Sequence, residues 1–251
     1  MAQQKYDLVQ PIKLPRYKIE DFLRCSRCFY LDMKYGIQHP FGPSFSLNLA
    51  VDQLLKNEFN ILRKRQEPHE LMKKYGIDAV PYNNTELFDK WTNNRFGIQF
   101  LHKDTNFLVT GVPDDIWVNP KGEFYIVDYK STSTTKPISL EDEYKQGYKK
   151  QVEIYQWIFR KNDFKVSDTA YFVFANAIKE GDMFDGKLEF EMSIIEHKGD
   201  DSWVEPTLFD IQKCLASDTP PVSSPDCEYC NYVKMVGLSA FKYKPRKNRK
   251  K

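Results

Sequence analysis

The chain has no apolar run of 18 residues, the length a bilayer-spanning helix needs, and no signal-peptide pattern at its start. Those two absences predict a soluble, cytoplasmic protein without a membrane partner. Histidine is scarce: only His39, His69, His102 and His197 occur, and no two of them stand at metal-ligand spacing. Internal repeats are lacking too, which excludes a repeat architecture. The 251 residues suffice for one domain with a substantial core, or one domain with a small appendage. In an intracellular setting the five cysteines are expected as ligands or core residues rather than as disulfides. Acidic residues are missing from the last ten positions, Lys242 to Lys251, which hold seven Lys and Arg. Removing those seven charges from a net +2 leaves the rest of the chain at −5. Residues 241–251 are therefore expected as a disordered basic tail that attracts phosphates without sequence preference.

Against these absences stands one concentrated signal. Gly111-Val112-Pro113-Asp114-Asp115-Ile116 is followed, across an Asn119-Pro120-Lys121-Gly122 turn, by Ile126-Val127-Asp128-Tyr129-Lys130. Aromatic and β-branched residues make Phe124 to Lys130 a strand, on which Asp128 and Lys130 share a face and Tyr129 points away. The segment from Phe107 to Val118 reads as the other arm of a hairpin, returning the chain so that Asp114 comes alongside Asp128. Two hard oxygen ligands suit Mg²⁺ or Mn²⁺, with the carbonyl of Tyr129 as a further ligand, and Lys130 is placed to orient water or to stabilise phosphate charge. An isolated Asp-x-Lys is more often a solvated ion pair of little consequence. Here Tyr125-Ile126-Val127 precede it, placing the carboxylate where a central strand emerges.

Other segments give the frame. Residues 1–15 read as an irregular lead-in, Lys18 to Tyr35 as a helix start around a cysteine pair, and Gly36 to Pro43 as a loop. Helical patterns follow over Leu47 to Arg65, Glu67 to Lys74 and Glu86 to Asn94, then strands at about 96–103, 107–118 and 123–130. A helix at 144–160, a hairpin of Tyr171 to Ile178 with Leu188 to His197, and a helix at 204–216 complete the order. The class is α/β, with a mixed central β-sheet flanked by helices. Most aromatics, among them Trp91, Phe96, Trp117 and Trp157, are expected in the core. Cys25-x-x-Cys28 and Cys227-x-x-Cys230 form two ligand pairs, the usual means of building a four-thiolate site for Zn²⁺ or an iron–sulfur cluster. Cys214, on a helix, is expected in the core. The two pairs alone also fit a purely structural zinc protein, a reading that leaves the strand carboxylates unexplained.

Gly-x-x-Asp, a hydrophobic run ending in Asp-x-Lys, then Gln151-x-x-x-Tyr155 resembles the RecB-like, CRISPR-adaptation-type exonuclease branch of the PD-(D/E)XK nuclease superfamily. Cys25-Ser26-Arg27-Cys28-Phe29-Tyr30-Leu31 and Cys227-Glu228-Tyr229-Cys230 are similar to its opening segment and closing cysteine cluster, so the likeness spans about 17 to 235. It implies a restriction-endonuclease-like core, with residues 1–16 as lead-in and 17–240 as one nuclease domain closed by the cysteines. It implies a Mg²⁺- or Mn²⁺-dependent deoxyribonuclease acting as an exonuclease on single-stranded DNA ends. Asp114, Asp128 and Lys130 would be catalytic, Gln151 and Tyr155 would contact phosphate or the lysine, and partners would come from DNA repair, recombination or CRISPR adaptation. The branch places a metal-binding histidine on its first core helix. This chain has none there, and Asp52 stands at the matching position, with Glu58 a weaker candidate. The resemblance makes [4Fe–4S] the first choice for the cysteines and zinc the alternative, in either case clamping the chain ends together. The missing histidine keeps open a second reading, a catalytically idle nucleic-acid-binding domain on the same fold.

Overall fold

The alternation of side chains along β6 (Phe124–Thr132) organises the molecule, for which a computed structural model describes residues 10–40, 42, 46–142 and 145–242, with backbone only for 239–242. Phe124 and Ile126 enter one core cluster, while Val127 and Tyr129 enter a second on the opposite face. β6 is the centre of a five-stranded sheet in the order β2 (Val80–Pro81), β5 (Asp115–Val118), β6, β7 (Thr169–Ala177), β8 (Phe190–Lys198). It runs antiparallel to β5 and parallel to β7, and β8 returns antiparallel to β7, so the sheet is mixed. The expected hairpin near residue 181 is this β7–β8 pair.

The parallel step from β6 to β7 requires a crossover, and α6 (Gln146–Lys161) supplies it. Every residue from Val152 to Phe159 is buried, because α6 lies between the large sheet and a second, three-stranded sheet, β1 (Ile12–Pro15), β4 (Phe107–Gly111), β3 (Ile98–His102). The opposite face of the large sheet is covered by α3 (Ser46–Arg65) and α4 (Glu70–Lys74), whose Leu55, Phe59 and Met72 pack with Trp117, Val127 and Tyr129. α1 (Arg16–Arg24), α2 (Ser26–Tyr35), α5 (Thr85–Trp91), α7 (Val204–Ala216) and α8 (Glu228–Lys242) complete the α/β, restriction-endonuclease-like order, with mixed sheets flanked by helices.

Two expectations need correction. The single strand expected over 107–118 is two strands in different sheets, because Pro113 lacks an N–H and restricts Val112 before it, ending the ladder. Ile12–Pro15 is not irregular lead-in but a strand, parallel to β4. Past the cysteine segment, α8 runs on to Lys242. Residues 1–9 and 243–251, which hold most of the expected lead-in and basic tail, lie outside the described residues. Among the described residues no helix is long and apolar enough to cross a membrane.

Candidate active site

The register Asp115 opposite Val127 sets Asp114, one residue before β5, across from Asp128. Asp114 Oδ2 accepts the backbone N–H of Tyr129 at 3.0 Å, so the turn carboxylate is hydrogen-bonded to the neighbouring strand. α6 pins this turn from above. The Tyr155 hydroxyl donates to the Val112 carbonyl at 2.8 Å, and its ring lies on Gly111 so closely that a Cβ there would come within 2.6 Å of it. The Gly-x-x-Asp pattern and the tyrosine two motifs later are thus one packing unit.

Asp128 is completely shielded from solvent. Gln151 Nε2 donates to its Oδ1 at 2.6 Å, the Lys130 ammonium lies against Oδ2, and the Asp114 carboxylate is a close neighbour. Burial pushes the Asp128 carboxyl up to about 7, with the like charge of Asp114 adding to it and Lys130 opposing. Lys130 Nζ also lies 4.6 Å from the centre of the Tyr148 ring. Tyr129 points to the far face, as alternation requires. Its carbonyl falls on the same strand edge as the N–H that Asp114 takes, because both groups of a strand residue point to one side.

Asp52 reaches this group through an intermediary. Lys56 Nζ sits 2.8 Å from Asp52 Oδ2 and 3.1 Å from Asp114 Oδ1, so one ammonium joins α3 to the turn. Burial works against charging Lys56, but Asp114 and Asp52 together raise its pKa. Sequence reading passed over Lys56, although its place four residues after Asp52 was the available signal. Arg16 was also missed, and no local pattern marks it. Its guanidinium lies 5.8 Å from the Tyr155 ring centre and pairs with Glu20 at 2.6 Å. Glu58 does not join the site: it pairs with His69 at 2.8 Å. Gln151 and Tyr155 engage Asp128 and the Val112 carbonyl respectively, which makes both supports of the acidic pair. Beside Lys130 a cleft of about 220 Å³ is lined by Asn48, Leu49, Asp52, Ser131 and Tyr148.

Two carboxylates side by side on adjacent strands, with the Tyr129 carbonyl on the same strand edge, make a donor set suited to a hard divalent cation.

The four cysteines do meet. Cys25 precedes α2 and Cys28 lies on it, while Cys227 and Cys230 stand at the start of α8. Their sulfurs lie 3.5 Å (Cys28–Cys227), 3.4 Å (Cys28–Cys230) and 4.0 Å (Cys25–Cys230) apart, and all four are within 4.8 Å of one another. Burial opposes ionisation of Cys25, yet backbone N–H groups at Cys28 and Ser224 and the neighbouring thiols outweigh it and hold Cys25 down at about 7. Burial and the same neighbours push Cys28 upward. Cys214 lies apart, on α7, half-buried against the core.

Residues 16–235 match the family model of the PD-(D/E)XK nuclease superfamily. None of the curated proteins compared with the chain matches it.

Proposed function

The chain belongs to the PD-(D/E)XK nuclease superfamily, and from that membership we propose that it is a Mg²⁺- or Mn²⁺-dependent deoxyribonuclease, acting as an exonuclease on single-stranded ends. The observation that carries this reading is the buried Asp128, with the Lys130 ammonium on its Oδ2 and the like-charged Asp114 beside it. A carboxylate kept so poorly solvated is costly unless a cation completes it.

In this reading Asp114, Asp128 and the Tyr129 carbonyl are the metal ligands. The divalent cation, when bound, supplies charge that polarises the scissile phosphate and eases ionisation of the attacking water. The protein does the rest. Gln151 fixes the Asp128 carboxylate by its hydrogen bond, and Tyr155 holds the 111–114 turn in register. Lys130 aims a positive charge at the phosphate oxygens, where negative charge grows as the water oxygen bonds phosphorus and the bond to the leaving oxygen breaks. Leu49 and Tyr148, lining the cleft beside Lys130, offer a base an apolar contact and an aromatic face, as unpaired strands need. We place this work in the cytoplasm, with residues 17–240 acting as one domain and with the DNA-repair, recombination or CRISPR-adaptation partners that the resemblance implies.

For the cysteines we favour one Zn²⁺. Tetrahedral bonds of about 2.3 Å set sulfurs about 3.8 Å apart, close to the 3.4, 3.5 and 4.0 Å of three of the six sulfur pairs, with all four sulfurs within 4.8 Å of one another. A [4Fe–4S] cluster gives each thiolate its own iron and spreads the sulfurs more widely. Anaerobically purified protein should be colourless with one zinc per chain. Brown protein with broad absorbance near about 400 nm that bleaches on reduction would restore the cluster.

A timed digestion of end-labelled single- and double-stranded DNA and RNA, with Mg²⁺, Mn²⁺ or chelator, tests the function. Metal-dependent shortening of single-stranded DNA from an end is expected. DNA binding without cleavage at any metal concentration would favour the idle binding domain instead.

A further inference from the structure

Lys56 is an unusual neighbour for a metal ligand. Its ammonium already occupies the outer oxygen of Asp114, and it holds Asp52, the only other carboxylate that α3 brings to the site. Asp114 is then committed on both sides, with Tyr129 N–H on Oδ2 and Lys56 on Oδ1. The charges point the same way. With all five groups ionised, Asp52, Asp114 and Asp128 face Lys56 and Lys130, so the set carries one net negative charge. One divalent ion turns that into a single positive charge, a modest excess beside a phosphate. A second ion, about 3.5–4 Å from the first as in two-metal sites, would sit among three cationic centres with no free carboxylate to hold it.

We propose that Lys56 is a built-in substitute for a second metal ion: it limits the site to one divalent cation and leaves Asp52 a positioning residue that holds the lysine. This rests on the metal-centre reading given above. The lysine occupies the position a second cation would take on Asp114 and presents a fixed charge there, with no ion to recruit. It also explains why a helix without histidine still places a charged pair one turn apart, Asp52 and Lys56, against the turn carboxylate.

The test is the number of Mn²⁺ ions bound, read by calorimetry and by the electron-spin signal of free Mn²⁺, on the full chain with its cysteine metal in place. The Asp128→Asn variant is titrated in parallel to identify ions bound elsewhere. Wild-type protein should bind one ion that Asp128→Asn removes. Lys56→Met keeps length and apolar stem at a side chain that is about one-third exposed, so the fold should persist, as circular dichroism will check. It should bind two ions, the second lost when Asp52→Asn is added, and Lys56→Arg should return the count to one. Two ions in the wild type, or one in Lys56→Met, would overturn the substitution while leaving the metal centre intact. No ion sensitive to Asp128→Asn would overturn the metal centre itself, and the proposal with it.

Discussion

Asp115 and Asp128 are both fully shielded from solvent, on adjacent strands of one sheet, yet their surroundings differ in kind. Asp115 faces α3 and is saturated. Its Oδ1 accepts from Ile116 N at 2.7 Å and from Arg63, and its Oδ2 accepts from the Tyr129 hydroxyl at 2.6 Å and Trp117 Nε1 at 3.3 Å. Asp128 faces α6 with the Gln151 hydrogen bond, the Lys130 ammonium and the like-charged Asp114 beside it. A buried carboxylate with all its lone pairs met is a structural bolt. One held beside a second carboxylate, and pushed up to about 7, marks the candidate functional group. Adjacent residues divide the same way: Asp114 and Asp115 project to opposite faces, one to the candidate site and one to the bolt.

The largest difference should appear in turnover. Asp128→Asn and Asp114→Asn should each lose about a thousandfold or more in DNA cleavage, the scale on which removing a single charge-stabilising group acts, with the fold retained. Arg63→Met should do the reverse. Leaving Asp115 buried without its cation costs about 3–5 kcal/mol, read by urea or guanidinium unfolding, whereas turnover per folded molecule stays near wild type. A collapse of turnover in folded Arg63→Met protein would erase the division.

The pH response separates the two carboxylates next. The folded-state pKa of Asp128 lies above its ordinary value near 3.8, so between about 4 and about 7 the folded protein binds more protons than the unfolded chain. Stability from this group is therefore present at low pH and lost as pH rises through 7. Without added divalent metal, Asp128→Asn should gain on wild type over that window, and a constant gap between the two would show that Asp128 does not titrate there. The smallest effect belongs to the support. Tyr155→Phe removes one hydrogen bond to the Val112 carbonyl, worth about 1 kcal/mol, and should slow cleavage only a few-fold, by loosening the turn.

Much of this site could be read from the sequence because it is local. Strand alternation placed Asp128 with Lys130 and turned Tyr129 away, and a hairpin brought Asp114 across. The four cysteines declared themselves by spacing. Contacts that depend on tertiary placement were not legible. Nothing near Arg63 announces that it crosses 52 positions to reach Asp115, and nothing near Arg16 announces Tyr155. The pattern of β-branched residues over 107–118 continued through Pro113, so periodicity alone joined two strands that the missing N–H assigns to different sheets. The α6 periodicity suggested a helix flanking a sheet, while a buried run on every side of the helix marks one held between two sheets.

The central claim is that a divalent cation belongs between Asp114 and Asp128, and not at Asp115. Crystals grown with Mn²⁺ and measured at wavelengths where manganese scatters anomalously test it directly. The account predicts a peak bonded to carboxylate oxygens of Asp114 and Asp128, with nothing at Asp115. No peak between that pair, or a peak that displaces Arg63 from Asp115, would contradict it.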